Sequence, residues 1–176
     1  FSIGCHQVCT DGTYMYATNG SKIFRKHITT LVDSDITVSG MSAPAANQGS
    51  WILYHDGNLY SKYNAGLHDV TQYTFSTNTV STLTDSGFDS GNYCDGGCVV
   101  TNQSGVSFIV EAGTSNIWTL NLNTLGTTTT PTVYSPGTVS STEYGNGAAE
   151  ISAGVALIFG EKYDRATLVD TNTSPA

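Results

Sequence analysis

Charged side chains are scarce. Lys, Arg, Asp and Glu make up 11% of the 176 residues, six basic against fourteen acidic, for a net charge of -8. Phosphate binding needs clustered Lys and Arg, so this balance argues against a nucleic-acid partner. It argues equally against an anionic membrane surface. Glu, Lys and Arg together number ten, too few to build a long solvent-exposed helix. Long apolar runs are missing too. The longest is Val155–Phe159, where a membrane helix needs about 20 residues, so no membrane insertion is expected. The first residue is Phe1 rather than Met, which reads as a removed leader or a piece of something longer.

Cysteine is limited to Cys5, Cys9, Cys94 and Cys98, in two C-x3-C pairs. Zinc sites favour C-x2-C or C-x4-C with further ligands nearby, which these surroundings lack. An even count in an acidic, Thr/Ser/Asn-rich chain points to disulfides and an oxidising compartment. Four cysteines allow three pairings. Asp-Gly-Gly between Cys94 and Cys98 turns easily, so that pair could close a small loop. Cross-links between the two pairs are the rival pattern.

What fills the chain instead is Thr, Ser, Asn and Gly, together 76 of 176 residues. These are β-formers and turn-formers. Four turn glycines follow short apolar runs: Gly12, Gly57, Gly105 and Gly154, at intervals of 45, 48 and 49 residues. Each sits in a strand–turn–strand signal, such as WILYHDG followed by NLYSKY. A second turn and a third strand follow. The third strands close on Thr30, Thr79, Thr124 and Thr173, at intervals of 49, 45 and 49. Two separate landmarks thus share one period.

Fourth strands are expected in LVDSDITV, VSTLT and TTTPTVY. Four short antiparallel strands in 45–49 residues is the length of a propeller blade. A small twisted sheet cannot cover both its faces alone, and packing against neighbours around an axis covers them. Trp118, Leu120 and Leu122 alternate with Thr119, Asn121 and Asn123, as a strand requires. YMYATNGSKIFRKHITT and VALIFGEKYDRATLVDTNT resemble generic β-propeller repeats of the YVTN or kelch-like kind. The resemblance implies fold and not activity, because propellers host many functions. The expected fold is a single all-β, four-repeat propeller-like domain over 1–176. Its repeats run approximately 5–49, 50–96, 97–146 and 147–176, the last incomplete. Phe1–Gly4 could fill the place of the missing fourth strand; otherwise three outcomes stand open: the ring closes with one three-stranded blade, the chain is part of a larger propeller, or a strand from a neighbouring subunit completes the edge.

Catalytic patterns are thin. No Gly-x-Ser-x-Gly occurs, and His6, His27, His55 and His68 are scattered among strands and turns. Asp56 precedes Gly57 as Asp11 precedes Gly12, which is turn chemistry. Asp11, Asp56 and Glu150 are the inner-strand acids that glycoside hydrolysis would draw on. For calcium, Asp85, Asp89 and Asp95 share one long loop, and Asp33 and Asp35 lie in another segment. They read as solvated carboxylates, so no cofactor is expected and calcium is the one ion considered. Asp89, Tyr93, Asp95 and Tyr144 fall on the face where long loops gather, and form a candidate glycan-binding surface. Asn19, Asn102 and Asn172 begin N-glycosylation sequons, the third followed by Pro175. Thr127–Thr130 before Pro131 resembles an O-glycosylated tract, or an outer strand.

These features point to a secreted or surface-displayed module without catalytic activity. Its expected role is structural or adhesive, in an appendage, coat or filament, with copies of itself or neighbouring subunits as partners. A lectin-like glycan-binding propeller is the alternative. A component of a virion tail or fibre is another.

Overall fold

The computed structural model describes residues 8–41, 51–62, 70–83, 97–112, 117–124, 132–134, 147–159 and 166–172. Regular structure among them is entirely β-strand. Sheet 1 contains β1 (Cys9–Thr10), β2 (Tyr14–Thr18), β3 (Lys22–His27) and β4 (Ile36–Thr37), in that spatial order. Sheet 2 contains β5 (Trp51–His55), β6 (Asn58–Lys62), β7 (Val70–Thr74) and β8 (Thr79–Leu83), likewise in order. Sheet 3 contains β9 (Gly97–Thr101), β10 (Ser107–Ala112) and β11 (Ile117–Asn121). Sheet 4 takes β13 (Gly147–Ser152), β14 (Val155–Phe159), β15 (Ala166–Asp170) and then β12 (Thr132–Tyr134).

The four turn glycines all have positive φ, between 74° and 86°. Asp56 and Gly57, at φ 45° and 74°, form a two-residue hairpin between paired His55 and Asn58. This mirror-image turn matches the twist of the flanking strands. The threonines expected to close the third strands lie beyond them: Thr30 and Thr124 stand in the turns after β3 and β11, and Thr79 opens β8. Thr173 lies outside the described residues.

First strands succeed one another. β1 packs beside β5, β5 beside β9, and β9 beside β13. The sheets therefore stack face to face in chain order, each first strand beside the next. The chain is an all-β, propeller-like domain of four antiparallel sheets.

Two expectations need correction. TTTPTVY was expected to complete the third repeat, and the fourth was expected to lack a strand. Instead Thr132–Tyr134 pairs with Asp170–Leu168, so the fourth sheet has four strands. The third has three among the described residues. An outer strand needs only a free edge within reach, and β15 offers one as β11 does. Phe1–Gly4, the expected filler, lies outside the described residues. Along β11, Thr119 and Leu120 are both buried, as expected of a sheet covered by neighbours on both faces.

Three apolar seams hold the stack. Tyr16, Ile23, Met41, Ile52, Leu59 and Tyr73 bury the seam between sheets 1 and 2. Trp51, Leu53, Tyr60, Val70, Ile109 and Leu120 form the next. Cys98, Val100, Val110, Ala156, Ile158 and Val169 form the third. Fully burying each large side chain contributes about 1.5–3 kcal/mol.

The seam between sheets 2 and 3 also holds an ion pair. Lys62 Nζ lies 2.7 Å from Glu111 Oε1, with side chains 3% and 0% exposed. Both residues sit at the strand ends opposite the hairpin turns, where Lys62 pairs with Trp51 and Glu111 with Gly97. Breaking such a pair leaves a buried charge and is strongly unfavourable, whereas replacing both partners by apolar groups is often neutral. Lys62→Met alone is expected to cost about 3–5 kcal/mol. The double substitution Lys62→Met with Glu111→Leu is expected to restore most of that. Urea unfolding of the three variants checks it.

Candidate functional site

The loop-face residues Asp89, Tyr93, Asp95 and Tyr144 lie outside the described residues, as do Cys5, Cys94, His6, His68 and Asp85. Cys9 and Cys98 are free thiols. Burial, with the Glu150 charge adding to it, pushes the Cys98 thiol up to about 12. Burial raises Cys9 further, assisted by the Asp11 carboxylate and opposed by a backbone hydrogen bond. Both are therefore protonated at neutral pH, and protonated thiols are poor nucleophiles. Asp33 and Asp35 face cations of their own chain, Lys26 at 3.3 Å and Lys22 at 3.0 Å. Among the described residues, no cluster of three His, Cys, Asp or Glu side chains could hold a metal ion.

The three inner-strand acids stand at the hairpin end, and each has a local task. Asp11 Oδ1 accepts the N–H groups of Thr13 and Tyr14, both at 2.7 Å. Its Oδ2 accepts the Tyr16 hydroxyl at 2.7 Å. Burial works to raise the Asp11 carboxyl, but those hydrogen bonds outweigh it and hold the group below its usual range. Asp56 supplies the positive-φ turn. Glu150 Oε1 accepts the N–H of Thr101 at 3.0 Å, across the seam, and the N–H of Gly154 at 3.4 Å. His27 is likewise engaged, its Nδ1 accepting the N–H groups of Thr29 and Thr30 at 3.1 and 3.3 Å.

An open cleft of about 700 Å³ lies between the hairpins of sheets 3 and 4, lined by residues including Thr101, Asn102, Gln103, Glu150 and Ile151. Two sequon asparagines meet at this end of the seam. Asn102 Oδ1 accepts the N–H groups of Ser104 and Val106, closing its own loop. Asn102 Nδ2 donates to Thr171 O at 3.4 Å. Asn172 Oδ1 accepts the N–H of Gln103 at 2.8 Å, and its Nδ2 donates to Ala153 O and Asp170 Oδ1, both at 2.9 Å. The two asparagines thus clasp sheet 3 to sheet 4. A glycan on Asn172 Nδ2 would displace one of these bonds. Asn19 differs: its exposed side chain accepts the N–H and hydroxyl of Ser21, each at 3.2 Å, within a tight turn. Of the three sequons it is the best placed to carry a sugar. The clasp was invisible in the sequence, since its partners are 69 residues apart.

At the same end, aromatic rings bridge sheets 1 and 2. Tyr16 stacks on Tyr54 with centroids 6.0 Å apart and meets Phe75 at 5.4 Å. Tyr14 takes the His27 ring edge-on at 5.2 Å and the Arg25 guanidinium over its face at 4.5 Å. Arg25 is held by the carbonyl and hydroxyl of Ser34.

No family model matches the sequence. No curated protein matches it either. Among solved structures, the chain is similar to a quinoprotein alcohol dehydrogenase-like protein from Bacteroides thetaiotaomicron. The TM-score is 0.46 and the identity 13%, over 87% of this chain and 37% of that one. The chain therefore spans well under half of that protein's length.

Gly154 sits tightest in the clasp. A Cβ there would lie 2.7 Å from Asn172 Oδ1 and 2.9 Å from the Asn102 Cα, at φ +75°. At Gly57 nothing lies within 4 Å of a Cβ, and only the positive φ opposes substitution. Gly154→Ala should lose about 3 kcal/mol, strain and clash together. Gly57→Ala should lose only about 1 kcal/mol. Thermal melts of the two variants compare them directly.

Asp11 also sets a pH response. Its folded pKa lies below the unfolded value, so its stabilisation is present above the ordinary carboxylate range and is lost as pH falls through the lowered value. Urea midpoints measured from pH 5 down to pH 2 should fall less steeply in Asp11→Asn than in the parent chain. Equal slopes would show that Asp11 does not contribute.

Proposed function

We propose that this chain is a non-enzymatic structural or adhesive module of an extracellular appendage, coat or filament. The observation that carries this reading is the use of polar side chains at the hairpin end. Asp11, Glu150, Asn102, Asn172 and His27 all bond turn backbone or the adjacent sheet. Such groups fix shape, and a rigid stack of sheets is a natural spacer or scaffold. The exposed sequon at Asn19 and the low charge agree with an extracellular setting. Cys9 and Cys98, as free thiols, add no support to the expected cross-linking.

A lectin-like role is the second reading, favoured by the half-buried Tyr14, Tyr54 and Phe75 beside Arg25. Aromatic faces next to hydrogen-bonding groups suit sugars.

Electron microscopy of native material, with light scattering, tests the first reading. Assemblies built of many copies are expected outside the cell. A monodisperse monomer that hydrolyses chromogenic glycosides, and loses that activity in Asp56→Asn, would overturn it. Glycan-array binding that vanishes in Tyr54→Ala would favour the second.

A further inference from the structure

Two asparagines of this chain precede a glycine, Asn19 and Asn146. Asn146 lies outside the described residues. Asn19 is exposed and stands in the turn between β2 and β3, where its N–H donates to Lys22 O at 3.1 Å. An Asn-Gly step sets a nucleophile beside an electrophile. A bond from the Gly20 nitrogen to Asn19 Cγ closes a five-membered ring within one chain, so the reactants are already together. Gly20 has no side chain to crowd that approach.

The contacts of the turn favour the closure. The N–H and the hydroxyl of Ser21 both donate to Asn19 Oδ1, each at 3.2 Å. Negative charge gathers on this oxygen as the ring forms, and donors already in place stabilise it. The Gly20 N–H donates to Thr18 Oγ1 at 3.2 Å, which polarises the bond that must lose its proton. Asn19 Nδ2 makes no hydrogen bond among the described residues. The Nδ2 groups of Asn58, Asn102 and Asn172 differ, each donating to a carbonyl. The leaving nitrogen of Asn19 is therefore untied.

We propose that Asn19 is a self-modifying site, which loses its side-chain amide to the Gly20 nitrogen without an enzyme. The Gly20 nitrogen gives its proton to solvent and bonds to Asn19 Cγ. The Cγ–Nδ2 bond breaks, and Nδ2 takes a proton and leaves as ammonia. One water then opens the cyclic imide at either carbonyl, giving aspartate or isoaspartate at position 19. A neutral amide thereby becomes a carboxylate, with no oxidant or cofactor consumed. The reaction removes Nδ2, the atom to which a sequon sugar attaches, so the two fates of Asn19 exclude each other. The isoaspartate product also lengthens the main chain by one methylene, in a turn leading to Ile23 in the seam between sheets 1 and 2. No partner takes part, so the reaction is independent of the structural role.

Peptide mapping by mass spectrometry tests this on the folded 176-residue chain, made without glycosylation and held at physiological temperature. The peptide carrying Asn19 should gain the mass of an amide-to-acid exchange with time, faster as pH rises from about 6 to about 8. Ser21→Ala removes the hydroxyl donor and should slow the gain roughly fivefold, the worth of one neutral hydrogen bond. Ser21→Thr keeps the hydroxyl and should keep the parent rate. Both change an exposed side chain, and melting curves establish that each variant is folded. An Asn19 that stays intact in the folded chain while the guanidinium-unfolded chain reacts would overturn the proposal. So would a Ser21→Ala chain that reacts as fast as the parent, or a rate indifferent to pH.

Discussion

A short antiparallel sheet of β-branched and aromatic residues is apolar on two sides, and the rest of this molecule follows from covering both. One sheet alone exposes Tyr16 or Leu53 to water. Two stacked sheets bury one side of each. Only a stack with neighbours on both sides leaves Thr119 and Leu120, adjacent in one strand, buried together. That explains why 39% hydrophobic composition suffices without long apolar runs. It also explains why the chain can carry so few charges: most strand positions face a seam.

The seams are not equivalent. Aromatic rings dominate between sheets 1 and 2, and smaller aliphatic side chains fill the seam between sheets 3 and 4. The seam of smaller side chains also carries polar cross-bonds: Glu150 to Thr101, Asn172 to Gln103, Asn102 to Thr171. A hydrogen bond contributes about 1 kcal/mol net, similar to a buried methylene or two. The clasp therefore offsets what the small side chains do not supply. The middle seam uses a different device, the Lys62–Glu111 pair, whose cost of desolvation makes a misaligned stack unfavourable.

The repeat was legible because turn chemistry is local. Positive φ favours Gly, so Gly12, Gly57, Gly105 and Gly154 mark the hairpins in the sequence as they do in space. What stayed hidden depends on contacts between distant residues. The seat of Thr132–Tyr134 on β15 rather than β11 is set by which edge is within reach, and no local pattern encodes that. Asn102 and Asn172 read as sequons because three adjacent residues suffice for that motif. Their role as a clasp requires two sheets to be in place. The pairing of Lys62 with Glu111, 49 residues away, was likewise unreadable.

The aromatic cluster decides how much weight a sugar-binding reading can bear at this end of the molecule. A platform for a sugar ring must offer an open aromatic face. Here the Tyr14 face holds the Arg25 guanidinium, itself tied to Ser34. Tyr16 stacks with Tyr54 and binds Asp11 through its hydroxyl. Tyr73 meets Phe75 edge-on at 5.0 Å, and its hydroxyl donates to Asn78. A ligand would have to displace contacts each worth about 0.5–1.5 kcal/mol before making its own. Rings arranged this way hold two sheets in register more readily than they receive a third party.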